Sequence, residues 1–181
     1  RCFVQKYARG LNKLMKNKNL IIGAATGYQK NELYFFVESL RKVYFDKVIL
    51  IVNKNITEET RNYLNLNKID IFFTKYKSKT IFKDRYSLYS EIIKNQLNIE
   101  NIMLTDTADV IFFDDPFNNE LFSEINIFLE DKTIVECETN TRWIKRLYGN
   151  NVLNQINKNR ISCSGITLGK RENIIEYCDL M

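Results

Sequence analysis

Ile102–Phe117 reads IMLTDTADVIFFDDPF, and the fold turns on how its first residues are taken. An apolar run from Ile102 to Thr105 meets Asp106 directly, as a buried strand does where it leaves a core and enters a loop. Three similar runs lie upstream. Residues 19–26, NLIIGAAT, form a strand that ends in small residues, and Lys47–Val52, KVILIV, form a second that ends at Asn53. Ile69–Phe73 is the third. Segments of helical period separate them. From Lys30 onward, Leu33, Phe36, Val37, Leu40, Val43 and Tyr44 recur on one face. Thr57–Leu66 reads as a short helix, with Asn55 and Glu58 spaced as a capping box. After the basic loop Lys75–Lys83, Asp84 is placed to cap a helix whose Leu88, Ile92, Ile93 and Leu97 share a face. Strand and helix in strict alternation predict right-handed crossovers and parallel pairing. The expected fold is therefore α/β, with a central, mainly parallel sheet flanked by helices.

Downstream of Asp106 the pattern loosens. Val110–Phe113, Asn126–Leu129 and Thr133–Cys137 are short strand candidates, and Thr141–Ile156 is mostly helical around Trp143, Leu147, Leu153 and Ile156. Ile161–Leu168, ISCSGITL, reads as a strand before a last helix carrying Ile174, Ile175 and Cys178. Pro116, the only proline, follows two aspartates and marks a turn. Neither repeat nor linker interrupts the chain, so residues 1–181 are expected to form one domain. Arg1 opens it in place of a methionine, and residues beyond either end are expected to belong to the working protein.

Composition narrows the chemistry. The 181 residues contain no histidine, which excludes a histidine base, a Ser-His-Asp or Cys-His nucleophile and any histidine-held metal from this stretch. A metal here must sit on oxygen. Cys2, Cys137, Cys163 and Cys178 form no CxxC pair and suit a reducing compartment as small buried hydrophobes. The net charge of +5 is spread over every predicted helix and loop, a poor footprint for nucleic acid. No apolar run approaches the roughly 20 residues of a membrane span, and no signal-peptide pattern opens the chain. A cytoplasmic protein without a membrane span or a nucleic-acid partner is the expectation.

Ligands of parallel sheets bind outside the carboxyl ends of the strands. Those ends hold Ala24–Tyr28, Asn53, Lys75 and the stretch from Asp106. Asp106 and Asp109 stand three residues apart at such an end, where two carboxylates can coordinate Mg²⁺ or Mn²⁺, which in turn binds a diphosphate. The plainer alternative has one aspartate capping a turn and the other solvated.

The segment also resembles the long aspartate motif of the GT-A-fold glycosyltransferases, LSDxRDVxFQxDPF. Leu104, Asp106, Asp109, Val110, Phe112, Asp115, Pro116 and Phe117 match it, with Ala108 where the motif has arginine. Ser164–Gly169, SGITLG, resembles the NSGVILG strand of the same families, with Cys163 in the place of asparagine. Asp84-Arg85-Tyr86 with Tyr89 resembles their D-R-F/Y helix start, and Tyr34–Leu40 their first helix. The resemblance spans about residues 19–181. It implies a GT-A-like, Rossmann-type sandwich and a metal-dependent transferase that moves a sugar from a nucleoside diphosphate donor, most naturally a UDP-sugar, to a hydroxyl of a glycan, protein or small molecule. On the same resemblance Mn²⁺ or Mg²⁺ rests on Asp106 and Asp109. Ala24, Ala25, Thr26, Tyr28 and Asn53 hold the nucleotide, Arg85 meets phosphate or sugar, and Ser164 with Gly165 approaches the donor sugar. Glu138 is the carboxylate available as a base. Arg85 has an alternative reading, an exposed helix-start arginine paired with Asp84. Two rival functions stand beside the transferase: a haloacid-dehalogenase-type phosphatase, whose paired aspartates are spaced differently, and a nucleotide-sugar-binding or structural relative without turnover.

Overall fold

The structure, a computed structural model, describes residues 18–75, 81–118 and 123–181. Strand β1 (Asn19–Ala24) leads to helix α1 (Lys30–Val43), β2 (Lys47–Asn53) to α2 (Glu58–Leu66), and β3 (Asp70–Thr74) to α3 (Ile81–Lys94), before β4 (Asn101–Thr105). Then follow β5 (Ile125–Thr133), a 3-10 turn (Ile134–Glu136), α4 (Glu138–Ile156), β6 (Arg160–Lys170) and α5 (Arg171–Leu180). Cys2 and residues 76–80 of the expected basic loop lie outside the described residues.

One six-stranded sheet runs in the order β3-β2-β1-β4-β6-β5. The first four strands are parallel, with Ile22 of β1 opposite Ile49 on one side and Leu104 on the other. The Arg171 N–H donates to Glu100 O at the foot of β4, and the Lys170 N–H to Glu124 O just ahead of β5, both at 2.8 Å. The end of β6 thus meets the beginnings of its two neighbours, and β6 runs against both. Fold class is as expected: α/β, with a mostly parallel central sheet flanked by helices.

The chain divides into two compact units. One takes in the described residues up to Asn126 together with Thr167–Met181, and the other is Ile127–Ile166. In the first, the interiors of β1 and β2, Leu20–Ala24 and Val48–Val52, are apolar because helices cover both faces of the sheet. Leu20, Ile21, Ile22, Val48, Leu50 and Ile51 are fully buried, and each such side chain contributes about 1.5–3 kcal/mol against leaving it in water. Helix α1 buries Leu33, Phe36, Val37 and Leu40. Its first turn is closed by the Glu32 carboxylate, which accepts the Gln29 N–H at 2.8 Å. Helix α3 is fastened to α5 by Asp179, which accepts from Ser90 Oγ at 2.6 Å and Lys94 Nζ at 2.9 Å. Those two partners hold the Asp179 carboxyl below the usual range. In the second unit, Ile134, Leu153 and Ile161 form a small core, and α4 is broken at Gly149, whose φ is 83°.

Several boundaries differ from expectation, each for a local reason. Val110–Phe113 is not a strand. Phe112 packs edge-on against Phe36 of α1, with ring centroids 5.5 Å apart, and its N–H donates to Ser39 Oγ at 3.1 Å. The segment docks on a helix and not on a sheet edge, so Ile111 and Phe113 stay exposed. Thr133–Cys137 is likewise not a strand: β5 ends at Thr133, where the Glu136 carboxylate accepts the Thr133 N–H at 2.7 Å and closes the 3-10 turn. Thr57, not Asn55, caps α2, its hydroxyl accepting the Thr60 N–H. Asp84 lies in the first turn of α3, which begins at Ile81 and so takes Lys83 out of the basic loop.

Gly23 of β1 is a position where a side chain has no room, as is Gly169 of β6. A Cβ at Gly23 would lie 2.4 Å from Thr107 Cγ2, 3.0 Å from Leu50 Cδ2 and 3.3 Å from Thr105 O. Overpacking of this kind costs about 1–3 kcal/mol. Gly23→Ala is expected to lower the melting temperature by several degrees, since ~1 kcal/mol moves a chain of this length by roughly 2–4 °C. A thermal melt followed by circular dichroism measures the shift.

Candidate functional site

Parallel register delivers the ends of β1 and β4 side by side, since Gly23 pairs with Thr105. Beyond that rung the two strands give way to turns, and a cavity of about 420 Å³ opens there. The β1 side of its wall comes from Ala24, Thr26 and Tyr28, the β4 side from Asp106, Thr107, Ala108 and Asp109, and α3 contributes Ile81 and Arg85.

The β1 turn is held from both directions. The Ala25 N–H donates to Ile51 O at 2.8 Å, and Gly27 takes φ 89°, a conformation suited to glycine. Gln29 then ties the turn to the start of α2: its Oε1 lies 3.0 Å from Thr57 N, Thr57 Oγ1 and Thr60 Oγ1. Thr26 is 3% exposed, and its Oγ1 has no hydrogen-bond partner among the described residues. A buried hydroxyl left unmatched costs about 1–3 kcal/mol. A polar ligand atom reaching this wall would recover it.

Arg85 reaches the cavity from the first turns of α3. Its Nη1 donates to Asp106 Oδ1 at 2.7 Å, with the arginine side chain 11% exposed and the aspartate 41%. The arginine is therefore neither exposed nor paired with Asp84. Its guanidinium lies 5.1 Å from the Tyr86 ring centre, and Nη2 is 3.4 Å from the Tyr86 hydroxyl. Burial works against the Arg85 charge, but Tyr89, Tyr86 and Asp106 outweigh it and raise its pKa above the usual value. Burial also pushes the Tyr86 hydroxyl up to about 12, against the nearby Arg85 charge, and raises Tyr89 as well. Both tyrosines are neutral at physiological pH, and Asp106 is an anion that Arg85 meets at the cavity wall.

Six of the residues singled out in the sequence line this one cavity: Ala24, Thr26, Tyr28, Arg85, Asp106 and Asp109. Ala25 is buried behind it, and Asn53 ends β2 with its carbonyl accepting the Ile56 N–H. Glu138, at the start of α4, and Ser164 and Gly165, on β6, belong to the second unit. Ile81 and Thr107 line the cavity without having been anticipated. Thr107 carried one signal, its place between two aspartates, and Ile81 none.

The donor set suits a hard cation only in part on its own. Two carboxylates, Asp106 and Asp109, share the wall, and among the described residues no three Asp, Glu, Cys or His side chains cluster as a closed metal site. Mg²⁺-type ions are characteristically held by one or two carboxylates, with water and substrate phosphate completing the shell. A carboxylate also keeps lone pairs beyond those one arginine uses. The residues present fit an ion that arrives with a phosphorylated ligand. The sequence matches no protein-family model, and comparison with curated proteins finds no match. Among the described residues no helix is long and apolar enough to cross a membrane.

The two aspartates are expected to separate in stability. Asp106→Asn leaves the buried Arg85 charge on a weaker acceptor and should cost about 1–3 kcal/mol. Asp109 is exposed, and Asp109→Ala should stay within about 0.5 kcal/mol. Urea unfolding of both variants checks the contrast.

Proposed function

We propose that the cavity binds the diphosphate of a nucleoside diphosphate sugar and that the protein is a metal-dependent glycosyltransferase of the GT-A type, with a UDP-sugar as donor and a hydroxyl as acceptor. The observation that carries this reading is the meeting of Asp106, Asp109 and Arg85 on the wall of one cavity beside the end of β1. Two carboxylates alone would repel a diphosphate. Together with a cation and a guanidinium they can hold it.

In this reading Arg85 presents planar donors suited to phosphate oxygens. Ala24 lets a ligand approach the end of β1 closely, the Thr26 hydroxyl supplies a buried polar contact, and Tyr28 offers a ring on which a base can stack. Asp106 and Asp109 would hold Mn²⁺ or Mg²⁺, which when bound offsets the charge that gathers on the departing diphosphate. The roles of Ser164 and Gly165 toward the donor sugar and of Glu138 as base rest on the sequence resemblance alone. So do the choice of uridine and the long motif's expectation of arginine at the position of Ala108.

Calorimetric titration of UDP with Mn²⁺, repeated after chelation, tests the reading. Tight binding with the metal and weak binding without it is expected, with Asp109→Ala abolishing the difference at an unchanged melting temperature. Equal affinity in both conditions would exclude the aspartates as metal ligands. Release of free sugar from a panel of UDP- and GDP-sugars then separates a transferase from a binding relative: binding without turnover favours the latter.

A further inference from the structure

The two carboxylates lie on a turn, and a turn at a sheet mouth needs something to hold it. We propose that Thr107 is the positioning residue of this turn, a side-chain rung that continues the β1–β4 ladder past its last backbone pair and fixes Asp106 and Asp109 on the cavity wall. The inference rests on the metal-diphosphate reading for its functional consequence, and on the geometry alone for the device itself.

Backbone pairing between β1 and β4 ends at Gly23 opposite Thr105. The next carbonyl along β1 is that of Ala24, and Thr107 Oγ1 donates to it at 3.0 Å. The hydroxyl thus stands where a further strand residue would have offered its N–H. The other branch of the same side chain is seated too: Thr107 Cγ2 occupies the space over Gly23, which only the absence of a Cβ leaves open. Both arms of one β-branched side chain are therefore spoken for, and Thr107 is 1% exposed while Ala108 and Asp109 are exposed. Buried and stiff at χ1, it anchors a segment whose flanking carboxylates line the cavity. Thr105 adds a second tie from below, its hydroxyl donating to Asp106 O at 2.9 Å.

Hydroxyl and methyl can be told apart by substitution. Thr107→Val keeps the methyl over Gly23 and removes the donor, whereas Thr107→Ser keeps the donor. Hydrogen exchange of the peptide containing Asp106–Asp109, measured without ligand, should quicken in Thr107→Val and return toward the parent rate in Thr107→Ser. In parallel, the affinity for UDP in Mn²⁺ should fall by about tenfold or more in Thr107→Val, as for outer-shell partners of metal ligands, and recover in Thr107→Ser. If Thr107→Val does not fold, Thr107→Ala, which also lacks the hydroxyl but crowds nothing, takes its place. Unchanged exchange in the turn would overturn the proposal, and so would a lowered melting temperature with parent-like UDP affinity. Equal impairment of Thr107→Val and Thr107→Ser would do the same by assigning the role to packing. Should the parent protein itself fail to bind UDP with Mn²⁺, the transferase reading falls, while the exchange comparison still decides the role of Thr107.

Discussion

Parallel pairing imposes a direction on everything else in this molecule. Strands β1 to β4 can bond as they do only if all four finish at the same edge of the sheet, and each helix between them must carry the chain back to the opposite edge. With β1 between β2 and β4, the loops that leave β1 and β4 are forced into adjacency whatever their sequences. What the loops do with that adjacency is a matter of a few side chains. Gln29 draws the first loop toward α2, and Arg85 is brought to the second by a helix that Asp179 fastens to α5.

The electrostatics of the cavity follow from the same arrangement. Asp106 and Asp109 lie within one short turn, and Arg85 sits close enough to one of them to relieve the mutual repulsion. A buried guanidinium is tolerated because its charge has a carboxylate at 2.7 Å and a tyrosine ring beside it. Among the described residues of the wall, one guanidinium stands with two carboxylates. A phosphate-bearing ligand would be helped there by further positive charge.

The sheet was legible because its interior strands are buried on both faces: Leu20–Ile22, Val48–Val52 and Ile102–Leu104 are apolar without alternation, a pattern a surface segment cannot sustain in water. Val110–Phe113 misled for the same reason, since an apolar run packing on a helix reads like one packing in a sheet, and nothing local says which neighbour it finds. Asp106 and Asp109 stood out as charges that interrupt apolar sequence. The partner of Arg85 did not, because it lies 21 residues downstream and local logic favours the adjacent Asp84. Glu138, Ser164 and Gly165 had no signal beyond family likeness, and they lie in the second unit.

The contact between Ala24 and Thr107 joins residues 83 apart in the chain, and the Asn101 and Asn19 side chains bond across a separation of 82. Between those partners lie three crossovers, so the β1–β4 pairing closes the longest loop of the parallel set. Such closures are entropically unfavourable until other contacts have formed, and they belong to the slower events of folding. A nascent or partly unfolded chain therefore contains the separate pieces of the cavity but no cavity, and a molecule that binds there has nothing to recognise in the unfolded state. Occupancy would act as a clasp on the most distant pairing in the parallel set, adding RT ln(1 + [L]/Kd) to the stability of the whole fold and making resistance to proteolysis a gauge of ligand concentration.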